Sequence, residues 1–519
     1  MNKYKSLGNK KNKSILILLK SILVGLAVSV VVIAYRWVLT YAEGVATKMY
    51  NFFSENVVWI PVLFLALATM GYFVGWLVSK NKMISGSGIP QLKGVLIGHF
   101  TQKWFATLWQ KFIGGATAIL GGLSLGREGP SIQLGAAVGD GIGNKIAESR
   151  QERKILMASG ASAGLAGAFN APLAGVLFAL EEIFKYFSPV ILLSTMSAAV
   201  IADFVSKEFF GLNPIFNFDV STAVQLQDYW ILIILGVILG LLGALYNWLL
   251  LRTQGIYKKI SKLDTKVKMM IPFMMAGILG LTFPVVLGGG HHVIAELHIE
   301  QAIGVLLLIW IVKFLFSMVS FGSGAPGGIF FPLLVLGGTI GAVFGKVFID
   351  YLGYDSALFY NFVILAMAGY FTAIVRAPIT GVVLIIEMTG SFNHLLSLTV
   401  VSLIAYVIAD LVKSPPIYEA LLENLIRGGS DGLDKETEKG KKVVIEMVVQ
   451  HGSLIEEKQI KEIVWANRCL VVGVKRGETE VIPTGETIIK AGDFLIILTE
   501  AECEASTREL LDKMVVDNS

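Results

Sequence analysis

Gly126–Gly143 reads GREGPSIQLGAAVGDGIG, and Gly328–Gly345 reads GIFFPLLVLGGTIGAVFG. At a fixed offset of 202 residues the two stretches share Gly126/Gly328, Pro130/Pro332, Leu134/Leu336, Gly135/Gly337, Gly139/Gly341 and Gly143/Gly345. A second block follows at an offset of 206: APLAGVLFALE at Ala171–Glu181 matches APITGVVLIIE at Ala377–Glu387. Two ordered blocks at nearly one offset describe a chain built of two related halves, about 15–205 and 228–412. GSGIP at Gly86–Pro90 also resembles GSGAP at Gly322–Pro326, but at a different offset. Identities leave open whether the halves are inverted.

Working outward, the repeats lie in a strongly apolar body. Of 519 residues, 54 % are hydrophobic and 16 % charged, with a mean hydropathy of +0.69. These figures exclude a single soluble domain, a disordered chain and a disulfide scaffold. Charge is concentrated at one end: 31 of the 93 residues from Arg427 onward are Asp, Glu, Lys or Arg, against 51 of the 426 before it. Uncharged runs at Val57–Ser79, Tyr229–Leu251, Met269–Gly290, Ile155–Leu180, Phe314–Gly345 and Ser356–Val375 are long enough to cross ~30 Å of hydrocarbon. Several are interrupted by glycine and proline, which inside a membrane marks broken or re-entrant helices. Ser14–Leu39 is too long for a signal peptide and reads as a retained first helix.

The expected organisation is a basic cytosolic N-terminus at 1–14, a transmembrane body at 15–426, a polar linker at 427–442 and a small α+β domain at 443–519. Its strands are expected at Val443–Val449, Cys469–Val474 and Phe494–Leu498, with a closing helix over Glu500–Met514. Lysine and arginine cluster in the N-terminus, Lys80 and Lys82, Arg150–Lys154 and Lys258–Lys268, while Asp203–Asp228 and Gly288–Glu300 are poor in them. Both termini are therefore expected on the cytoplasmic side of the cell membrane. Cys469 and Cys503 stand in no metal or redox spacing, and nothing indicates nucleic-acid binding.

Three glycine/proline clusters, Gly86–Pro90, Gly126–Pro130 and Gly324–Pro332, each precede a helical pattern. They are either helix kinks or helix starts that present free N–H donors and the positive end of a dipole. Several such starts together hold an anion without a full positive charge, which lets it leave again. Ser87 adds a hydroxyl. Glu128, between Gly126 and Pro130 and beside Arg127, is a carboxylate deep in the low-charge body. Its neighbours along a helix start are expected to point apart from it. A carboxylate there competes with an anion while charged and withdraws when protonated, which couples anion and proton movement. Of Glu181 and Glu182, at most one faces a pathway, and the alternative is a solvated helix end with Lys185. Glu387 has the same alternative and is assigned no role. His291–His292 reads as surface loop. No Walker A loop, HExxH or nucleophile elbow is present, so no enzyme is expected.

These motifs resemble the CLC family of chloride channels and proton/chloride antiporters. GSGIP at 86–90, GREGP at 126–130, GGIFFP at 327–332, FNAPLAGVLFALEE at 169–182, RAPITG at 376–381 and PPIY at 415–418 follow the family's order. The resemblance implies an all-α, inverted-repeat membrane fold, a homodimer, and one pore per subunit. It implies that the hydroxyls of Ser87 and Tyr418 and the amides of Ile329 and Phe330 hold a central anion. Gly86, Gly88, Pro90, Gly126, Arg127, Gly129, Pro130 and Gly328 would support those motifs. Glu128 would be the external gate and Glu182 the internal proton-transfer residue of the antiporter branch. Phe331 departs from the family's usual alanine, and either crowds the site or repacks a helix. Ser87 implies chloride over nitrate, and the GREGP form argues against the fluoride-exporting branch. GETIIKAGDFLIIL at 485–498 resembles the TrkA-C module of potassium-channel regulators, which implies a small cytosolic ligand; no other cofactor is expected.

The expected function is therefore exchange of chloride for protons. The alternative is a passive, ligand-gated, voltage-dependent chloride channel. A potassium transporter is suggested by the tail alone, against the sign of the helix starts and without a TVGYG filter.

Overall fold

The computed structural model describes residues 2–185, 187–218, 220, 222–260, 263–427, 442–466, 468–477, 479–500 and 503–515, with side chains from Ile15 onward except at 480 and 505. The expected linker lies almost wholly outside these residues. The chain forms two compact units, Met1–Leu92 with Gln102–Gly428, and Lys93–Thr101 with Gly429–Ser519.

The first unit is helical. Its first half comprises α1 (Asn2–Glu55), α2 (Ile60–Lys80), α3 (Ile89–Ile97), α4 (Trp104–Leu120), α5 (Glu128–Ile146), α6 (Arg150–Phe169), α7 (Pro172–Phe178) and α8 (Pro189–Phe210). The second comprises α9 (Tyr229–Lys259), α10 (Thr265–Lys268), α11 (Met270–Thr282), α12 (His291–Ala295), α13 (Ile303–Gly322), α14 (Phe330–Leu352), α15 (Phe359–Val375), α16 (Pro378–Thr389) and α17 (Leu395–Leu411), followed by α18 (Ile417–Arg427). At the offsets read from the sequence, α1 to α8 correspond in order to α9 to α17, with α10 and α11 together matching α2.

Hydrogen bonds between the halves are reciprocal. Gly126 N–H donates to Gly328 C=O and Gly328 N–H to Gly126 C=O, both at 2.7 Å. Gly86 N–H donates to Gly324 C=O (3.2 Å), and Gly288 N–H to Gly122 C=O (3.0 Å). The fully buried Lys111 Nζ donates to the carbonyls of Ile84 (2.9 Å) and Gly86 (2.6 Å). Its mate Lys313, equally buried, donates to Val286 (2.8 Å) and Gly288 (2.7 Å). Every donor and acceptor in these pairs maps onto its partner at an offset of 202, as an approximate two-fold axis requires. The mate of Gly86 is therefore Gly288, and the likeness of GSGIP to GSGAP is not the repeat. That match is hidden in the sequence because Ser87–Pro90 faces Gly289–His292, and only the glycine frame survives.

Small residues let the central helices approach backbone to backbone. A β-carbon on Gly135 of α5 would stand 2.1 Å from the Gly160 carbonyl oxygen of α6, and one on Gly160 would stand 2.1 Å from that of Gly135. In the other half, Gly341 of α14 meets the Phe362 carbonyl of α15 in the same way, at 2.2 Å. These helices are buried nearly all round, whereas α1, α2, α8, α9 and α13 turn large apolar side chains outward, Trp37 at 73 % and Leu65 at 69 % exposure among them. A belt of that kind is unfavourable in water and favourable in hydrocarbon. Among the described residues, seven helices are long and apolar enough to span a membrane, α1, α2, α8, α9, α13, α14 and α15. The long uncharged runs are broken as their glycines and prolines predict: Ile155–Leu180 divides at Asn170, whose φ is 52°, and Phe314–Gly345 divides between α13 and α14.

In the second unit β1 (Lys442–Val448), β2 (Cys469–Arg476), β3 (Thr479–Val481) and β4 (Phe494–Glu500) form an antiparallel sheet in the order β1-β4-β2-β3, followed by α19 (Glu504–Val515). Ile445, Met447, Val474, Leu495, Ile497, Leu511 and Val515 lie in its core. The short hairpin strand β3 is not expected from the sequence, because Thr479–Val481 is too brief to show a period.

Candidate functional site

The Gly126–Gly328 bridge brings two helix starts together: α5 begins at Glu128 and α14 at Phe330. Neither has a side-chain cap, so their first-turn amides are free to face a ligand. Glu128 is completely buried. Its carboxylate is faced by its own amide and that of Phe331, while neither oxygen makes a well-formed hydrogen bond among the described residues. A β-carbon on Gly126 would stand 2.4 Å from Glu128 Oε2 and 3.2 Å from Phe331 N, so only glycine leaves this corner open. The carboxylate thus lies at the mouth of α14, where the helix dipole favours negative charge. Arg127 does not point away from it: Arg127 Nε is 3.9 Å from Glu128 Oε1, an ion pair without a hydrogen bond.

Ser87, 1 % exposed, precedes α3. Its oxygen accepts from Ile89 N–H at 3.3 Å, which leaves its own proton to be donated elsewhere. Gly129 of α5 presses on it; a β-carbon there would stand 2.9 Å from Ser87 Cβ. Gly88, with φ +87°, holds the turn, and Gln133 fills the space a side chain at 88 would need. Pro90, in the first turn of α3, and Pro130, in that of α5, follow these glycines as the motifs require. Ile329 and Phe330 are fully buried. The Phe330 ring lies 6.1 Å from Phe178, which meets Tyr418 edge-on at 6.4 Å. Tyr418 is also fully buried, its hydroxyl has no partner among the described residues, and both Glu182 and Glu128 lie within electrostatic reach of it. A buried hydroxyl without a partner is rare and points to a group that completes it.

Glu181 and Glu182 occupy a π turn, Ala179–Phe184, at the end of α7. Such turns re-aim consecutive side chains and gather at functional sites. Glu182 turns inward, at 3 % exposure. Glu181 is not a solvated helix end paired with Lys185, which instead pairs with Glu419. Its carboxylate accepts from Ile379 N–H (3.1 Å), Thr380 N–H (2.8 Å) and the Thr380 hydroxyl (2.7 Å), capping α16. Glu387 returns the contact, accepting from Leu173 N–H (3.0 Å) and Ala174 N–H (2.8 Å) at the start of α7. This exchange of caps was missed from sequence, although the matched glutamates of the two APxxG blocks carried the signal.

His291 and His292 are not an ordinary loop either. His291 opens α12, and its ring stacks on Phe331 at 3.8 Å with an interplanar angle of 16°. Phe331 also lies 6.0 Å from Phe216 and 6.4 Å from Phe169, so its ring repacks this side of α14. Glu43, His291, His292 and Glu296 line a cavity of about 310 Å³ beside Gly288–Gly290.

Two halves related by a two-fold axis, broken helices whose starts meet at a buried centre, and an apolar belt define a multi-pass membrane protein of the repeat-built transport class. The chain belongs to the voltage-gated chloride channel family, whose pattern it matches over residues 70–410, and residues 444–512 match the TrkA-C domain. It is 36 % identical over 372 residues to the H(+)/Cl(-) exchange transporter ClcA of Vibrio cholerae, covering 70 % of this chain and 78 % of that one. The ClcA of Citrobacter koseri is 33 % identical over 420 residues, covering 78 % and 88 %. Among solved structures, a slow cyanobacterial Cl-/H+ antiporter superposes with a TM-score of 0.75 at 30 % identity, over 79 % of this chain and 98 % of that one. A CLC-type fluoride/proton antiporter shares the fold, with a TM-score of 0.65 at 24 % identity.

Proposed function

We propose that this protein carries chloride across the membrane in exchange for protons. The observation that carries the reading is the burial of two carboxylates, Glu128 and Glu182, within electrostatic reach of the Tyr418 hydroxyl, which has no partner among the described residues. One of them, Glu128, stands where the first amides of α14 would receive an anion. The relatives are exchange transporters, and their likeness favours antiport over the passive channel.

In this reading Ser87 and Tyr418 donate hydroxyls to a central chloride, and the amides of Ile329 and Phe330 complete its shell without a formal positive charge. Glu128, ionised, occupies the anion's place at α14. Protonated, it loses its attraction to the amides, swings out and admits the anion. Glu182 exchanges the proton with the cytoplasm. Gly86, Gly88, Pro90, Gly126, Gly129, Pro130 and Gly328 hold the turns, and Arg127 balances the carboxylate. The halves are inverted in the membrane, two copies assemble as a homodimer, both termini are cytoplasmic, and the TrkA-C unit binds a small cytosolic ligand. No cofactor takes part.

The test is flux in liposomes. A chloride gradient drives protons uphill through the wild-type protein, Glu128→Gln moves chloride with no protons, and Glu182→Gln does the same. Wild-type chloride flux that moves no protons overturns the exchanger and leaves the channel.

A further inference from the structure

The mechanism above leaves the outer source of Glu128's proton unassigned. Phe331 separates two groups: its amide faces the Glu128 carboxylate, and its ring is covered by the His291 imidazole at 3.8 Å. Both ring nitrogens of His291 are shielded and make no hydrogen bond among the described residues, so the imidazole is held by stacking alone with its proton sites uncommitted. Nδ1 lies 3.9 Å from Glu43 Oε1. Beyond the pair is the cavity of about 310 Å³ that Glu43, His291, His292 and Glu296 line, with room for several waters. The side chains of His291 and Glu43 are 29 % and 26 % exposed, so both border that cavity, while the ring nitrogens themselves stay shielded from it. Among the described residues Glu43 of α1 pairs with the ring, and Arg127 before α5, His292 of α12, Lys313 of α13 and Arg36 of α1 lie within electrostatic reach of it. Three of these are basic side chains, and among the described residues Glu43 is the carboxylate paired with the ring.

We infer that Glu43 and His291 form the outer proton-entry relay of the exchanger, passing protons between the cavity and Glu128. This rests on the exchange reading above. A hydronium ion in the cavity gives its proton to Glu43, leaving water, and Glu43 passes the proton to Nδ1 of His291. The other nitrogen releases its own proton to the Glu128 carboxylate through water, and a turn of the ring resets the tautomer. One N–H is made, one is lost, and the single net event is protonation of Glu128. Burial of the ring first, and the nearby basic groups second, disfavour the charged imidazole, so it passes the proton on rather than storing it. Phe331 serves as the positioning residue that holds the ring flat against the start of α14.

Right-side-out and everted membrane vesicles containing the full-length chain present the two mouths to the bath separately. Chloride-driven proton flux is measured in each against bath pH, with isotopic chloride exchange as a check that the protein is folded. His291→Asn is expected to lower proton flux about tenfold and to flatten its dependence on bath pH in one vesicle orientation only. Glu43→Gln, which leaves the stack intact, is expected to flatten the same profile. Wild-type flux and pH profiles in both variants overturn the relay while leaving exchange standing. A wild-type protein that moves chloride without protons overturns the exchange reading and the relay with it.

Discussion

At the scale of single residues, the site is built from groups whose hydrogen-bonding capacity is left over. The Ser87 oxygen already accepts an amide while its proton stays available, and the Tyr418 hydroxyl has no partner among the described residues. Tyr418→Phe and Ser87→Ala each remove one donor. Each is expected to weaken chloride binding about three- to tenfold, in line with a net hydrogen-bond worth of ~1 kcal/mol, as measured by calorimetry on the purified protein. Both variants are expected to remain folded, because neither hydroxyl donates to the protein. Gly135 behaves in the opposite way. Its α-carbon lies against the Gly160 backbone, so Gly135→Val overpacks a backbone contact that cannot relax, and a loss of about 2 kcal/mol or more in stability is expected in detergent denaturation. GREGP and its glycines were legible as a helix start in the chain. The nearness of His291 to Phe331 was not, because 39 residues of intervening helix and loop separate two groups that meet only after α12 packs against α14.

At the scale of elements, the exchange of caps between α7 and α16 ties the halves at a further point besides the Gly126–Gly328, Gly86–Gly324 and Gly288–Gly122 bonds. Each carboxylate satisfies two helix-start amides that would otherwise be desolvated without partners. Glu181→Ala and Glu387→Ala are each expected to cost about 1–3 kcal/mol, the range for hydrogen bonds to a charged group. Glu181→Ala is expected to cost more, because the Thr380 hydroxyl is lost as well. Thermal unfolding of the two variants in detergent measures the difference. Repeat matching placed these glutamates at equivalent positions, yet a sequence offset carries no direction. Whether a carboxylate at a helix end meets water or the mate of its own helix depends on the two-fold axis.

At the scale of the whole molecule, the membrane unit and the C-terminal unit obey different solvents. The first buries small residues and exposes large apolar ones; the second has an aliphatic core under a four-stranded sheet. In the C-terminal unit the pair Arg476–Asp493 joins β2 to the turn before β4 through two contacts of 2.7 Å, and Asp493 also accepts from Lys490 N–H at 2.9 Å. Burial raises the Asp493 carboxyl, but the hydrogen bonds from Arg476 and Lys490 outweigh it and hold the carboxyl below its ordinary value. A depressed carboxyl stabilises the fold above its unfolded value of about 4, and that contribution fades as the pH falls below it. Hydrogen exchange in β2 and β4 is therefore expected to quicken below about pH 4. In Arg476→Ala it is expected to be faster already at neutral pH, by about 1 kcal/mol because the guanidinium is 40 % exposed.

Composition, hydropathy and a repeated glycine frame sufficed for the membrane body, its two halves, its broken helices and the acidic residue at a helix start. Those properties are local or periodic, and the chain displays them along its length. Folding alone decided that Gly86 answers Gly288, that Glu181 and Glu387 cap each other's helices, and that His291 lies on Phe331. The first two join residues far apart in the chain through one axis of symmetry, the third joins two elements of one half, and no pattern along a single strand of sequence encodes where that axis or those elements pass.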